Sequence, residues 1–312
     1  MKEKCVLWVV MCLLISWSSL KCEESSLNIY TNGRSNISWN APLILKQNRI
    51  FTKASVNSGR ELNFWVDNGW SQTTVDSRLL DPESLDARRQ IRFTALNRKG
   101  LSAHSGIVEE LRIGELQLSN PEVRCSDIFS KVTQSFKYRV SGILGYNSLK
   151  SFKVTFDFRN KKIVFEKSLN DANVKPEGFV KKGILSWDNK LLNGKNAHVF
   201  SVKLFINDIP VDAFIDLGFE GSILTTLDNK KISVFSNGGI RKSTVRVLGH
   251  SGEGFHTKAQ KVSLAGFEEK NVPLIHFKNE QISDFTLIGV TFIKRFTITI
   301  DYPNKLIYLN KL

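Results

Sequence analysis

The chain has 312 residues, 41% of them hydrophobic and 24% charged, the composition of a folded protein rather than a disordered or fibrous one. Its 44 basic and 30 acidic side chains leave a net charge of +14, divided as +6 over residues 1–150 and +8 over residues 151–312, with no basic run longer than two residues. A surplus so dispersed reads as a solvated basic surface and argues against a nucleic-acid site. At this length a single small module is excluded and two lobes are expected.

Lys2 and Lys4 precede an apolar run over residues 5–15, and small and polar residues follow. That is the charged, apolar and cleavage-zone order of a secretory signal, assigned to residues 1–22, so export is expected (secreted, periplasmic or associated with the cell surface). The run is too short to cross a hydrocarbon core of ~30 Å, and no later segment is long and apolar enough to form a stable membrane span. Cys5 and Cys12 belong to this leader and Cys22 stands at its boundary, so no internal disulfide is possible beyond a Cys22–Cys125 pair. Cys125 reads as a buried apolar filler. The five histidines form no His-Glu-x-x-His spacing and have no cysteine company, so neither a metal site nor a cofactor is expected.

Along the chain, residues 49–56 and 61–66 read as strands around the turn Asn57-Ser58-Gly59, and the second ends in Trp65-Val66-Asp67-Asn68-Gly69-Trp70. Residues 141–165 contain the tripeptide Ile143-Leu144-Gly145, a short helical turn from residue 146, and a hairpin. In that hairpin Phe152, Val154, Phe156 and Phe158 alternate with polar residues before a turn at 159–162. Residues 168–196 are polar and read as a link. Residues 199–206 and 211–215 repeat the first hairpin around Asn207-Asp208 and end in Phe214-Ile215-Asp216-Leu217-Gly218-Phe219.

The closing stretch, residues 285–309, aligns without a gap to residues 141–165. Gly145/Gly289, Lys150/Lys294, Phe152/Phe296, Thr155/Thr299, Asp157/Asp301 and Asn160/Asn304 are among the identities. The chain is one unit written twice, with units at about residues 27–167 and 197–312. Asp157 and Asp301 precede turns and read as structural or surface residues.

Each copy therefore delivers an acidic residue from an apolar strand onto an X-Gly turn. A buried carboxylate needs partners, and two such units in one chain point to carboxylates that meet. Facing carboxyl groups share a proton, and a water held between them becomes a nucleophile.

The joint pattern of apolar-apolar-Asp-X-Gly followed later by apolar-apolar-Gly, present twice, resembles that of the retropepsin-like and pepsin-like aspartic proteases, in a form with both halves in one chain. The resemblance covers roughly residues 40–312. It implies a mainly β, bilobal acid-protease-like fold, with two pseudo-symmetric β-barrel-like lobes and short helices. It further implies an aspartic endopeptidase with Asp67 and Asp216 as the catalytic pair. Loop support would come from Asn68, Gly69, Leu217, Gly218, Gly145 and Gly289. Flap or substrate contacts would come from Gly100 in the first half and from Gly252 and Gly254 in the second. The implied partner is a peptide or protein substrate, and a monomer suffices because one chain holds both halves.

Four positions depart from the family pattern. Asn68 and Leu217 stand where a Thr or Ser hydroxyl would cross between the loops; Asn can still donate and accept, and Leu can do neither. Trp70 and Phe219 stand where a small residue is usual, and would either cover the carboxyl pair or pack beneath the loops. Two other functional classes compete: a catalytically inactive relative serving as a peptide- or protein-binding module, and a generic β-rich surface-binding protein. The run Gly249-His250-Ser251-Gly252-Glu253-Gly254 lacks the Lys-Ser/Thr and following helix of a phosphate loop, so a hairpin tip is expected there.

Overall fold

The computed structural model describes residues 7–8, 28–29, 38–95, 98–129, 138–167, 184–186, 200–226, 240–247, 250–278 and 285–312. The signal assignment, apart from residues 7–8, and the link, apart from residues 184–186, lie outside them. No helix among the described residues is long and apolar enough to cross a membrane.

The fold is mainly β, as expected. In the second half a six-stranded barrel closes on itself. His250–Leu264, Phe200–Ile206, Ile209–Ile215, Thr286–Ile288, Ile223–Thr225 and Phe267–Lys278 follow one another, and the last pairs back to the first. Closure leaves no edge inside the ring and turns alternate side chains inward. Val202, Leu204, Ile206, Val262, Leu264 and Leu274 are all buried there.

The first half has the same neighbours: Arg49–Val56 beside Leu62–Val66, then Gly142–Leu144, Thr74–Asp76 and Glu122–Ser126. Its long hairpin is broken where the second half's is continuous. Arg98–Ile107 runs on to Glu110–Ile113, and Leu116–Ser119 runs on to Glu122–Ser126. The break falls at Pro121, which has no N–H to give to a ladder. Val108 N–H still reaches the Pro121 carbonyl at 3.2 Å, which keeps the two arms together.

A six-stranded antiparallel sheet joins the halves in the order Ile184–Ser186, Leu306–Lys311, Phe296–Asp301, Phe152–Asp157, Lys162–Lys167, Ser38–Pro42. At its centre Thr155 is paired with Thr299, and their hydroxyls are 2.8 Å apart. These are the same residue of the two repeats, 144 positions apart. An antiparallel pair in which a residue faces its own equivalent lies on a local two-fold axis. Phe152, Val154 and Phe156 are buried on alternate positions, as the period-2 reading expects. They join one core with Ile163, Phe165, Ile298 and Ile300.

The turns carry the repeat as well. Asn160 N–H donates to Asp157 Oδ1 at 2.9 Å, and Asn304 N–H to Asp301 Oδ1 at 3.2 Å. The paired aspartates thus close hairpins; Asp301 is buried rather than on the surface. Cys125 is a buried free thiol that donates to the Leu80 carbonyl at 2.9 Å.

Because the Thr155–Thr299 hydroxyl pair is mutual, losing one partner strands the other. Thr155→Val or Thr299→Val should each cost about 1 kcal/mol, and the double variant less than the sum. Chemical denaturation of the four-member cycle checks this; additive losses would contradict a direct pair.

Candidate active site

Each candidate carboxylate is delivered by a buried strand and held by a parallel neighbour from its own half. Asp67 follows Leu62–Val66, and its N–H donates to the Leu144 carbonyl at 3.1 Å; Asp216 follows Ile209–Ile215, and its N–H donates to the Ile288 carbonyl at 2.9 Å. The glycines at 145 and 289 let the helical turns Tyr146–Leu149 and Val290–Ile293 start directly behind the loops. Tyr146 N–H donates to the Trp70 carbonyl at 2.7 Å, and Val290 N–H to the Phe219 carbonyl at 2.8 Å.

The two Asp-X-Gly turns are the same turn. Gly69 N–H donates to Asp67 Oδ1 at 2.9 Å, and Gly218 N–H to Asp216 Oδ1 at 2.8 Å. Gly218 also touches the other carboxyl group. A Cβ built on it would fall 2.5 Å from Asp67 Oδ2, so no side chain fits between them. Both carboxyl groups therefore abut one residue, and both are buried.

Asn68 joins the loops. Its Nδ2 donates to the Ile215 carbonyl at 2.8 Å and its Oδ1 accepts from Leu217 N–H at 2.7 Å, clamping the backbone on both sides of Asp216. One carboxamide with a donor and an acceptor makes both contacts. Leu217 returns nothing in kind and is buried in the main apolar core. The clamp runs in one direction.

Trp70 and Phe219 pack away from solvent, both fully buried. Trp70 sits in a second apolar cluster with Phe51, Trp65, Phe129, Val140 and Ile143, and its indole N–H donates to Thr74 Oγ1 at 2.7 Å. Of the flap candidates, Gly100 lies within Arg98–Ile107. Gly252 and Gly254 lie within His250–Leu264, paired with Val245 and Ser243. All three are in strands; the tips at 96–97 and 248–249 lie outside the described residues.

The sequence alone missed a buried ion pair beside this centre. Arg49, from the first half, meets Glu220 at 2.9 Å, four residues beyond Asp216. An acid between Phe219 and Gly221 was a signal, because a charge in an apolar run needs a partner. The identity of that partner, far away in the chain, was not legible. Burial raises the Glu220 carboxyl and Arg49 opposes the rise. Asp216 is pushed up to about 7, first by burial and then by the charge of Glu220, against the lowering effect of the Gly218 and Phe219 N–H groups. Among the described residues no cluster of three or more potential metal ligands occurs. Such an arrangement can hold the Asp216 carboxyl group protonated up to near neutral pH.

No family model matches this chain, and no curated protein matches it.

A carboxyl group raised by burial makes folding pH-dependent. Between the unfolded value near 4 and the folded value of about 7, the unfolded chain releases a proton that the folded chain keeps. Stability present at low pH is lost as pH rises through that window, by on the order of a few kcal/mol. The melting temperature should fall from pH 4 to 7, and Asp216→Asn should flatten the slope. An unchanged slope would place the titration elsewhere. Asn68→Ala should cost about 2 kcal/mol, because it removes two buried hydrogen bonds at once; urea unfolding measures the loss.

Proposed function

We propose that this chain is an exported single-chain aspartic endopeptidase with a bilobal acid-protease-like fold, hydrolysing peptide bonds in a protein or peptide substrate. The observation that carries the reading is the convergence of two equivalent, buried Asp-X-Gly turns on Gly218, with Asn68 bridging them.

Asp216, its carboxyl pushed up by burial, serves as the acid and donates to the peptide carbonyl oxygen, while Asp67 serves as the base and removes a proton from a water positioned between the two. The water oxygen bonds to the carbonyl carbon and gives a neutral tetrahedral diol. Collapse of the diol breaks the C–N bond; the proton on Asp67 passes to the leaving nitrogen, and a diol hydroxyl returns its proton to Asp216. The chemistry balances without a cofactor. It demands that the two carboxyl groups stay aligned, because small misplacements cost orders of magnitude in rate.

A second reading, a catalytically inactive relative that binds peptide, draws support from Leu217. Its place in the apolar core leaves the clamp one-sided.

A peptide-cleavage assay from about pH 3 to 7, with pepstatin-type inhibition as control, separates the two readings. Endopeptidase activity should appear in the purified chain and vanish in both Asp67→Asn and Asp216→Asn. Cleavage that survives either change would assign the chemistry to another site, and no cleavage at any pH would leave the binding module. Leu217→Thr puts a hydroxyl into a packed apolar site, so it should lower stability by about 2 kcal/mol without raising the rate. A faster enzyme would show that the second half of the clamp can be restored.

A further inference from the structure

The internal repeat supplies its own control for a cavity in the second half. The offset of 149 that relates Asp67 to Asp216 sets Gly221 opposite Gln72 and Ser222 opposite Thr73. Strand register extends the correspondence. Arg124 pairs with Thr74 on one side and Ser105 on the other, as Leu274 pairs with Ile223 and Thr257. Ser105 therefore corresponds to Thr257, and Arg124 to Leu274.

In the first half this region is filled, and its side chains hydrogen-bond to one another. The Gln72 carboxamide Nε2 donates to Ser105 Oγ at 2.9 Å, and Ser105 Oγ donates to Glu122 Oε1 at 2.9 Å. Thr73 Oγ1 and Ser148 Oγ are 2.7 Å apart, and Arg124 reaches Ser71 Oγ at 3.3 Å.

In the second half the long side chains are gone. Glycine replaces Gln72, leucine replaces Arg124, and Phe292 stands at the position of Ser148. A cavity of about 290 Å³ lies there, lined by Glu220, Ser222, Thr257, His256 and Asn48 among others. Ser222 Oγ, Thr257 Oγ1 and Glu220 Oε2 are buried and have no hydrogen-bond partner among the described residues. Ser222 is 4% exposed and Thr257 8%. Buried polar atoms without partners are uncommon and costly, and three around one cavity mark a place for a polar guest.

The charge around it is balanced. Arg49 pairs with Glu220 at 2.9 Å, and the Lys294 ammonium donates to Asn48 Oδ1 at 2.9 Å. Burial and the nearby Arg241 hold His256 below its ordinary value, which favours the neutral ring. A cationic guest would face Arg49 and Lys294, and an anionic one would face Glu220.

We infer that this cavity recognises the neutral carboxamide side chain of a glutamine or asparagine carried by a peptide. The guest takes the role that Gln72 plays within the first half. Its NH₂ donates to Thr257 Oγ1 and Glu220 Oε2, and its carbonyl accepts from the Ser222 hydroxyl. The peptide carrier rests on the proposed function; the chemistry of the pocket does not.

The test is an NMR titration of the ¹⁵N-labelled full chain with N-acetyl-glutamine methylamide, against its norleucine and glutamate counterparts. The glutamine probe should give saturable shifts at the amides of residues 220–222 and 256–258. The other two should bind about tenfold or more weakly, as expected for lost buried hydrogen bonds. Equal binding of norleucine, or no saturable shift with any probe (a cavity that holds only water), would overturn the inference.

Ser222→Ala and Thr257→Val should each weaken the glutamine probe about tenfold without lowering the melting temperature, because each removes a hydroxyl that lacks a protein partner. A merely structural role would do the reverse. Unchanged probe binding in both variants would also overturn the inference, and if a variant fails to fold, the wild-type comparison of glutamine with norleucine decides. Probe binding without peptide cleavage would retain this site and remove the protease; cleavage without glutamine preference or probe binding would do the opposite.

Discussion

One side chain, the Asn68 carboxamide, fixes the relation between the two halves at their most sensitive point. It holds the backbone before and after Asp216 through one donor and one acceptor, both within 2.8 Å, in a place closed to water. In such surroundings hydrogen bonds are strong, and their loss strands two main-chain groups. Gly218 makes the clamp possible, because only a residue without Cβ lets the Asp67 carboxyl group lie against the opposing turn. The central sheet provides the coarse alignment, with Thr155 opposite Thr299, and Asn68 provides the fine one.

The repeat has diverged beside the Asp-X-Gly turns and kept its form where it meets itself. Strand neighbours, the Asp-X-Gly turns, the helical turns behind them and the hairpin-closing aspartates are shared. The first half has filled its interior with Gln72 and Arg124, and the second has a cavity beside Glu220. On the proposed reading, a two-fold frame with unequal halves offers two different walls to one bound peptide: the first half contributes packing and the second contributes selectivity.

Much of this was legible in the sequence because it is periodic. The alternation of Phe152, Val154 and Phe156, the turn residues at 159–162 and the two Asp-X-Gly sites are local signals, and the gapless repeat ties them together. Trp70 and Phe219 could be read in two ways from sequence, and tertiary packing placed both inside. The Arg49–Glu220 pair and the cavity by Ser222 and Thr257 depend on contacts between distant residues, which no local pattern encodes. Even so, the repeat held a clue: Gly221 opposite Gln72 marks a lost side chain whose partners remained polar.

On the proposed reading the Asp67 and Asp216 carboxyl groups form one coupled unit, and site-resolved titration reads that coupling. With ¹³C-labelled aspartate, the Asp216 carboxyl carbon should titrate near 7 in the wild-type chain. In Asp67→Asn the midpoint should shift, because a carboxyl group that shares a proton with Asp216 is removed while burial and Glu220 remain. A wild-type midpoint in the ordinary carboxylate range near 4, unmoved by Asp67→Asn, would contradict the account, because it would mean two independent acids at unrelated turns.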